Sequence, residues 1–234
     1  MTGVKMMHVF LIAVLITWPC FGQLSEEDRL LIEKSHNDIR SSVKTPAANM
    51  LEMVYDTELE TEAQTLLVDP CTTRGKTTGN SHANYATKKE SEAKWGELIN
   101  EWETEGEKYT YESNKCGENT DSCKHYIQVI WAAAEKVGCA KKECTNTGGN
   151  PSSKTEKTFA MLCLYDQGPG DDQSKKPYEK GEPCQQCDKT KYPTCPDKLC
   201  SAKPAIETTT SSTTCISSSG VLAMMGLLIG NHFN

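Results

Sequence analysis

Twelve cysteines are distributed along 234 residues, and their placement constrains the fold more than any other feature. Cys20 closes an apolar block spanning residues 7–18, which follows Lys5 and leads to the small residue Gly22. A basic start, a short apolar run and small residues before a cut are the signature of a signal peptide, so residues 1–22 are expected to leave by cleavage before Gln23. A secretory route delivers the chain to an oxidising compartment in which thiols pair. Cys20 departs with the leader and Cys215 falls in a Ser/Thr-rich tail. The cysteines between them are even in number, which allows five bridges, and spacing alone does not choose among the pairings.

The formal charge is −7 and carries no concentrated Lys/Arg surface. Phosphate backbones and anionic membranes both demand such a surface, so nucleic acid is excluded as a partner and acidic lipid is disfavoured.

Ser25 followed by Asp28 reads as a helix start, and Leu30, Leu31, Ile32 and Ile39 recur at near-helical spacing toward Val43 until Pro46 intervenes. Asp56 is placed to cap a second helix carrying Leu59, Ala63, Leu66 and Leu67, stopped by Pro70. A third helix is expected over about Ser91–Gly106 and a fourth over about Ser122–Ala134, with Tyr126, Val129 and Ile130 turned inward. Val137–Cys144 and Thr158–Tyr165 are short apolar runs joined across Gly148-Gly149-Asn150-Pro151, the pattern of a hairpin with a long turn. Helices first and a hairpin later predict an α+β fold.

After Asp166 the chain becomes rich in Gly and Pro and carries Cys184, Cys187, Cys195 and Cys200. Such a segment cannot build a core and must be held by bridges. The expected organisation is a folded domain over 23–166, a cysteine-rich hinge over 167–205, and a Ser/Thr-rich tail over 206–234. In that tail, Ser217–Ser219 ahead of the apolar stretch Val221–Gly230 offer a glycolipid anchor as the alternative to free secretion. The stretch is too short to span a bilayer, so an integral membrane protein is not expected.

Four segments together resemble the CAP superfamily of cysteine-rich secretory, antigen 5 and pathogenesis-related proteins, in its venom allergen-like extracellular branch. They are His36-Asn37-Asp38-Ile39-Arg40 with Ala47-Ala48-Asn49-Met50-Leu51, then His125-Tyr126-Ile127-Gln128-Val129-Ile130-Trp131 with Val137-Gly138-Cys139-Ala140. Cys163-Leu164-Tyr165 with Gly168-Pro169-Gly170, and Pro177 through Cys184 with Cys187, Cys195, Leu199 and Cys200, complete the set. The resemblance implies an α-β-α sandwich. It also implies the pairings Cys71–Cys144, Cys116–Cys123, Cys139–Cys163, Cys184–Cys195 and Cys187–Cys200. In the chain-entropy account the long Cys71–Cys144 loop stabilises by about 4.5 kcal/mol and the short Cys116–Cys123 loop by about 2.5.

In the resembling family two His and two Glu converge on a divalent metal such as zinc. Here the second pair is matched by His125 and by Glu105 in Trp102-x-x-Glu105, whereas the first His is replaced by Gly75 and the first Glu by Ala83, within His82-Ala83-Asn84. Zinc takes four ligands when structural and three plus water when catalytic, so this half tetrad predicts at most a weakly held cation. His82 is the one nearby residue able to add a ligand, but neighbouring strand residues face opposite ways. No nucleophile stands in a motif beside His125, and no catalytic residue is assigned.

The function the resemblance implies is that of a non-enzymatic secreted binding protein, sequestering a small lipid or engaging extracellular proteins. A fatty acid held between helices is preferred to a sterol, since the loop from Cys116 to Cys123 is short, acidic and bridged. The alternatives are an interaction or immunomodulatory module without a small ligand and, last, a metal-dependent hydrolase. His36 and Asn37 are read as core hydrogen-bonding groups, Trp95, Trp102 and Trp131 as core fillers with one polar contact each, and Lys88-Lys89-Glu90 as a solvated face.

Overall fold

The computed structural model describes residues 24–67, 82–117, 120–144, 157–170 and 174–204. The leader, Cys71, Gly75, Pro70, the turn at 148–151 and the tail with Ser217–Ser219, Cys215 and Val221–Gly230 lie outside the described residues.

Helix α1, Glu26–Ser41, starts where the Ser25 hydroxyl accepts the Asp28 N–H at 3.1 Å. Glu26, Glu27 and Asp28 in its first turn and Arg40 in its last suit the helix dipole. Its buried stripe is Ile32, His36, Ile39 and Arg40. Strand β1, Val54–Tyr55, leads to helix α2, Thr57–Leu66, which opens on the Asp56 carboxylate accepting the N–H groups of Glu58 and Leu59, each at 2.9 Å.

Strand β2, Ala83–Lys89, precedes helix α3, Trp95–Thr104. The helix expected from Ser91 is shorter than that, because Ala93 and Lys94 leave the helical region and separate a 3-10 turn at Glu90–Glu92 from α3. At the other end a second 3-10 turn, Glu105–Glu107, tightens the chain. A small hairpin, β3 Tyr109–Thr110 and β4 Lys115–Cys116, is joined to the following helix by the Cys116–Cys123 bridge. That helix, α4, is Lys124–Val129, and strands β5, Lys136–Glu143, and β6, Thr158–Tyr165, form the expected hairpin.

The four-stranded sheet has the order β1-β5-β6-β2, with β1 parallel to β5 and the other pairs antiparallel. Strand alternation sorts β6 between two layers. Ala160, Leu162 and Leu164 pack with Ala63 and Leu67 of α2, while Met161, Cys163 and Tyr165 face the larger cluster containing Ile32, Leu98, Trp102 and Val129. Helices therefore cover both faces, giving the α-β-α sandwich. Gly138 is required for the closeness of α2: a Cβ there would stand 2.2 Å from the Glu60 nitrogen and 2.5 Å from the Asp56 carbonyl oxygen. Lys88 and Lys89, expected on a solvated face, lie on β2 at the sheet edge, where charge discourages pairing with another chain.

Among its described residues the hinge adds no further strand to the sheet. It is clipped to the domain by isolated backbone pairs, Ala47 with Lys180 and Leu51 with Cys200, and stapled by Cys184–Cys195 and Cys187–Cys200.

The fourth helix was expected to reach Ala134 and stops at Val129. The cause is Arg40, whose side chain is buried at 1% exposure. Its guanidinium donates to the carbonyl oxygens of Val129 (2.8 Å), Trp131 (2.8 Å), Ala132 (3.1 Å) and Ala134 (2.9 Å), and twice to Leu51 (3.0 and 2.7 Å). A helix continuing through these residues would point its carbonyls along its own axis, away from this common centre. Burial pulls the guanidinium pKa down to about 9, against the charges of Asp166 and Tyr165, so it remains protonated at neutral pH. Arg40→Met leaves buried carbonyls without donors and is expected to destabilise the fold by about 3–5 kcal/mol. Arg40→Lys, with one compact ammonium, should recover only part of that. Urea unfolding of the secreted variants measures both, and a loss under 1 kcal/mol for Arg40→Met would contradict the assignment.

Candidate functional site

Glu105 and His125 meet because α3 and α4 end and begin side by side. Glu105 sits at the C-terminal cap of α3, and the bridge to Cys116 fixes Cys123 immediately ahead of α4. One Glu105 oxygen accepts the N–H groups of His125 (3.0 Å) and Tyr126 (3.2 Å), so a carboxylate distant in sequence serves as the N-terminal cap of α4. The other oxygen is 2.7 Å from His125 Nδ1. With that proton on Nδ1, Nε2 carries the available lone pair of the neutral ring. Trp102 stacks on the imidazole, the ring centroids 5.7 Å apart and the planes 24° from parallel. Both side chains of the pair are 21% exposed, so the pair is part-buried and open to solvent on one side. Gly106 lets the turn close: a Cβ there would come within 2.7 Å of the Tyr126 ring.

Beneath the pair runs a buried polar chain that links the sheet to the helices on one of its faces. Asn84 on β2 donates to the His125 carbonyl (3.0 Å) and to the Tyr165 hydroxyl (3.2 Å). Tyr165 lies 3.0 Å from His36 Nε2, and His36 Nδ1 lies 2.7 Å from the Ile32 carbonyl. Because Nδ1 faces a carbonyl it holds the proton, and Nε2 accepts from Tyr165. Burial raises the Tyr165 phenol pKa, so it stays a donor. Asn37 fastens α1 to the segment before β1 by a two-way pair with Met53, 2.8 Å in each direction. His36 and Asn37 thus act as hydrogen-bonding groups of the core. Trp95 differs from its expectation: its Nε1 is buried without a hydrogen-bond partner among the described residues.

Of the residues matched to the metal tetrad, the structure brings Glu105 and His125 together. Ala83 packs on the α2 side of the sheet, with Leu164 opposite, while Asn84 faces the layer of His125. His82 precedes β2, its carbonyl accepting the Tyr165 N–H at 2.9 Å and its ring against Gly168. Both Glu105 oxygens already accept from protein donors, so the pair offers at most one carboxylate oxygen and one ring nitrogen. That is short of the three ligands zinc needs from a protein, so the described residues do not fit a zinc centre. The described group of three ligand-type side chains within metal reach is Cys184, Cys187 and Cys200, whose sulfurs are all in disulfides. Sequence reasoning did not single out Asn84 or Tyr165 as parts of the site; the signal available was their place on alternate positions of paired strands.

A family model for the cysteine-rich secretory protein (CAP) family matches residues 34–165. Human peptidase inhibitor 16 is 29% identical over 195 residues, covering 83% of this chain and 40% of its own length. The chain therefore spans about 40% of that relative. Among solved structures, hookworm platelet inhibitor superposes with a TM-score of 0.60 at 21% identity, covering 78% of this chain and 94% of that one. NaASP2 with Zn2+ gives a TM-score of 0.53 at 25% identity, covering 78% and 99%.

The buried histidine sets a pH dependence. Burial holds His36 at about 4, with Arg40 adding to the depression and the Ile32 carbonyl opposing it. Below pH 6.5 the unfolded imidazole takes up a proton that the folded one refuses, so stability falls on acidification across pH 6.5 to 4 by about 3 kcal/mol. Asp56 and Glu60 titrate lower: burial pushes each up, but Lys136 and helix N–H groups for Asp56, and Arg29 and Tyr55 for Glu60, outweigh it. Denaturant unfolding between pH 7 and 4.5 should give this slope, and His36→Gln should flatten it in that window.

Proposed function

The chain belongs to the cysteine-rich secretory protein family, and we propose that it is an extracellular, non-enzymatic binding protein that meets protein partners through its bridged surface rather than through a metal or lipid held in a cavity. The observation that carries this reading is the engagement of both Glu105 oxygens, which cap α4 and orient His125, so that Glu105 behaves as a structural carboxylate. A hydrolase would require a nucleophile activated by His125, and among the described residues no hydrogen bond of the pair engages a Ser, Thr or Cys side chain. The disulfides support an oxidising, extracellular setting. Among the described residues no helix is long and apolar enough to cross a membrane.

The lipid reading receives less support from the grooves along α1 and α3. One, of about 180 Å³, is lined by Ser35, Asp38, Ile99, Asn100 and Glu103 among others. The next, of about 370 Å³, includes Ser42, Lys44, Glu103, Glu107 and Tyr126. An acyl chain placed there would desolvate carboxylates without pairing them, whereas lipid sites are lined mainly by apolar side chains. The name of the human relative makes extracellular peptidases the first partners to screen.

Native mass spectrometry of the secreted protein tests the choice between ligand and partner. The expected spectrum is the oxidised polypeptide alone, unchanged by added zinc at micromolar concentration. A retained fatty acid or sterol would instead make lipid sequestration the function, and a stoichiometric zinc adduct lost in Glu105→Gln would restore the metal centre.

A further inference from the structure

The four hinge cysteines follow the pattern Cys184-x-x-Cys187 and, further on, Cys195 and Cys200, paired Cys184–Cys195 and Cys187–Cys200. The two bridges lie against each other. The sulfurs of Cys184, Cys187 and Cys200 are all within 4.8 Å of one another, so a sulfur of the first bridge stands beside both sulfurs of the second. Their accessibility is unequal: Cys195 is exposed, whereas Cys184, Cys187 and Cys200 are 5%, 9% and 1% exposed.

Thiol–disulfide exchange proceeds by attack of a thiolate on one sulfur of a bridge, and access decides which sulfur is attacked. An incoming thiolate reaches Cys195, and the sulfur expelled is then Cys184, the one already beside the second bridge. The Lys189 ammonium donates to the Cys184 backbone carbonyl at 3.2 Å. The backbone does not oppose rearrangement. Cys184 (φ 62°), Asp197 (φ 48°) and Lys198 (φ 67°) all hold left-handed conformations that are unfavourable for residues with a Cβ.

We propose that the hinge is an exchange-competent pair of disulfides, a site for an extracellular small thiol or a protein dithiol. A thiolate RS⁻ attacks Cys195 Sγ, forming RS–S–Cys195 and releasing Cys184 as thiolate. Cys184 attacks Cys187 or Cys200, forming a new bridge and expelling the other as thiolate. That thiolate attacks Cys195 in the mixed disulfide, closes the second new bridge and returns RS⁻. Two disulfides enter and two leave with no net electron transfer. With a dithiol as attacker, its second thiol instead resolves the mixed disulfide, two electrons pass to the hinge, and the reduced pair is Cys195 with Cys187 or Cys200.

The exchange has a defined structural reach. The backbone pairs of Lys180 with Ala47 and of Cys200 with Leu51 hold the two ends, so the segment between them changes shape. Pro196, Asp197 and Leu199 in that segment form one wall of a groove of about 550 Å³ whose other wall is α1 at Leu30, Glu33 and Asn37. The pairing isomer therefore sets the form of this surface groove, in which Leu30 is 58% exposed.

Cys195→Ser in the full secreted chain leaves one unpaired hinge sulfur, which is located by rapid alkylation at pH 8, acid quench and peptide mapping. The expected result is label shared between Cys184 and at least one of Cys187 and Cys200. Label on Cys184 alone overturns the proposal. Should this variant not be secreted, the wild-type protein treated with substoichiometric glutathione gives the same decision. Glutathione on Cys195 with free thiol at Cys187 or Cys200 supports exchange, and free thiol confined to Cys184 overturns it. The Cys139–Cys163 bridge, buried at both sulfurs, serves as the unmoved control.

Discussion

Arg40 is a cation taken out of water and met by backbone carbonyls alone. The five carbonyl groups that receive it come from the segment before β1, from the last residue of α4 and from the turn that follows. Neither the segment before β1 nor the turn has regular structure of its own, and each would otherwise leave polar atoms without partners in the interior. One side chain on α1 thus replaces a lattice of secondary-structure hydrogen bonds. The consequences radiate outward. Leu51, which takes two of the donors, is also where the hinge pairs through Cys200, and Ala132 donates its N–H to the Pro177 carbonyl at 2.7 Å. The hinge therefore docks on a surface that exists in this form because Arg40 organises it from beneath.

Local chemistry was legible in the sequence wherever local chemistry decides the outcome. Ser25 and Asp56 start helices because each offers a side-chain oxygen to free N–H groups two or three residues on, a relation contained within one turn. The β5–β6 hairpin was legible because its two runs are long and apolar. The outer strands were not. β1 is two residues long, and β2 carries Asn84, Thr87, Lys88 and Lys89, so each becomes a strand through its neighbour rather than through its own composition. The early end of α4 was hidden for the same reason, since the agent that ends it lies on another helix. In the site, resemblance to a family brought forward Glu105 and His125, but that Glu105 caps α4 is a relation between elements that no spacing encodes.

The Glu105–His125 pair and the sandwich share their polar interior. His125 is joined through its own carbonyl to Asn84, through Asn84 to Tyr165, and through Tyr165 to His36 on α1. A chain of this kind, each member partnered, fixes the orientation of four elements, α4, β2, β6 and α1, against one another. It also binds the fate of the pair to the fold: substituting His125 or Glu105 disturbs a helix cap as well as a surface group. Glu105 and His125 have structural work in this arrangement, capping α4 and fixing the ring, which is why residues matched to a metal site do not by themselves argue for a metal.

The hinge shows the opposite balance. Its cluster contains Cys184, Cys187, Tyr192 and Cys200 with Leu51 alongside, too little apolar surface to hold a segment of this length. Covalent closure takes the place of burial. The two bridges, with sequence separations of 11 and 13, each restrain the unfolded chain by about 3 kcal/mol in the loop-entropy account. Pairing Cys184 with Cys200 and Cys187 with Cys195 would close one longer and one shorter loop. Because the entropy varies only with the logarithm of loop length, that isomer restrains the chain equally to within about 0.5 kcal/mol. Loop entropy does not choose between these two pairings, whereas Cys184–Cys187 with Cys195–Cys200 would close two short loops and restrain the chain by about 1.5–2 kcal/mol less. Selection falls to the contacts of Tyr192 and Leu199 and to the backbone clip at Leu51, and any partner that competes for those contacts acts on the choice of bridge.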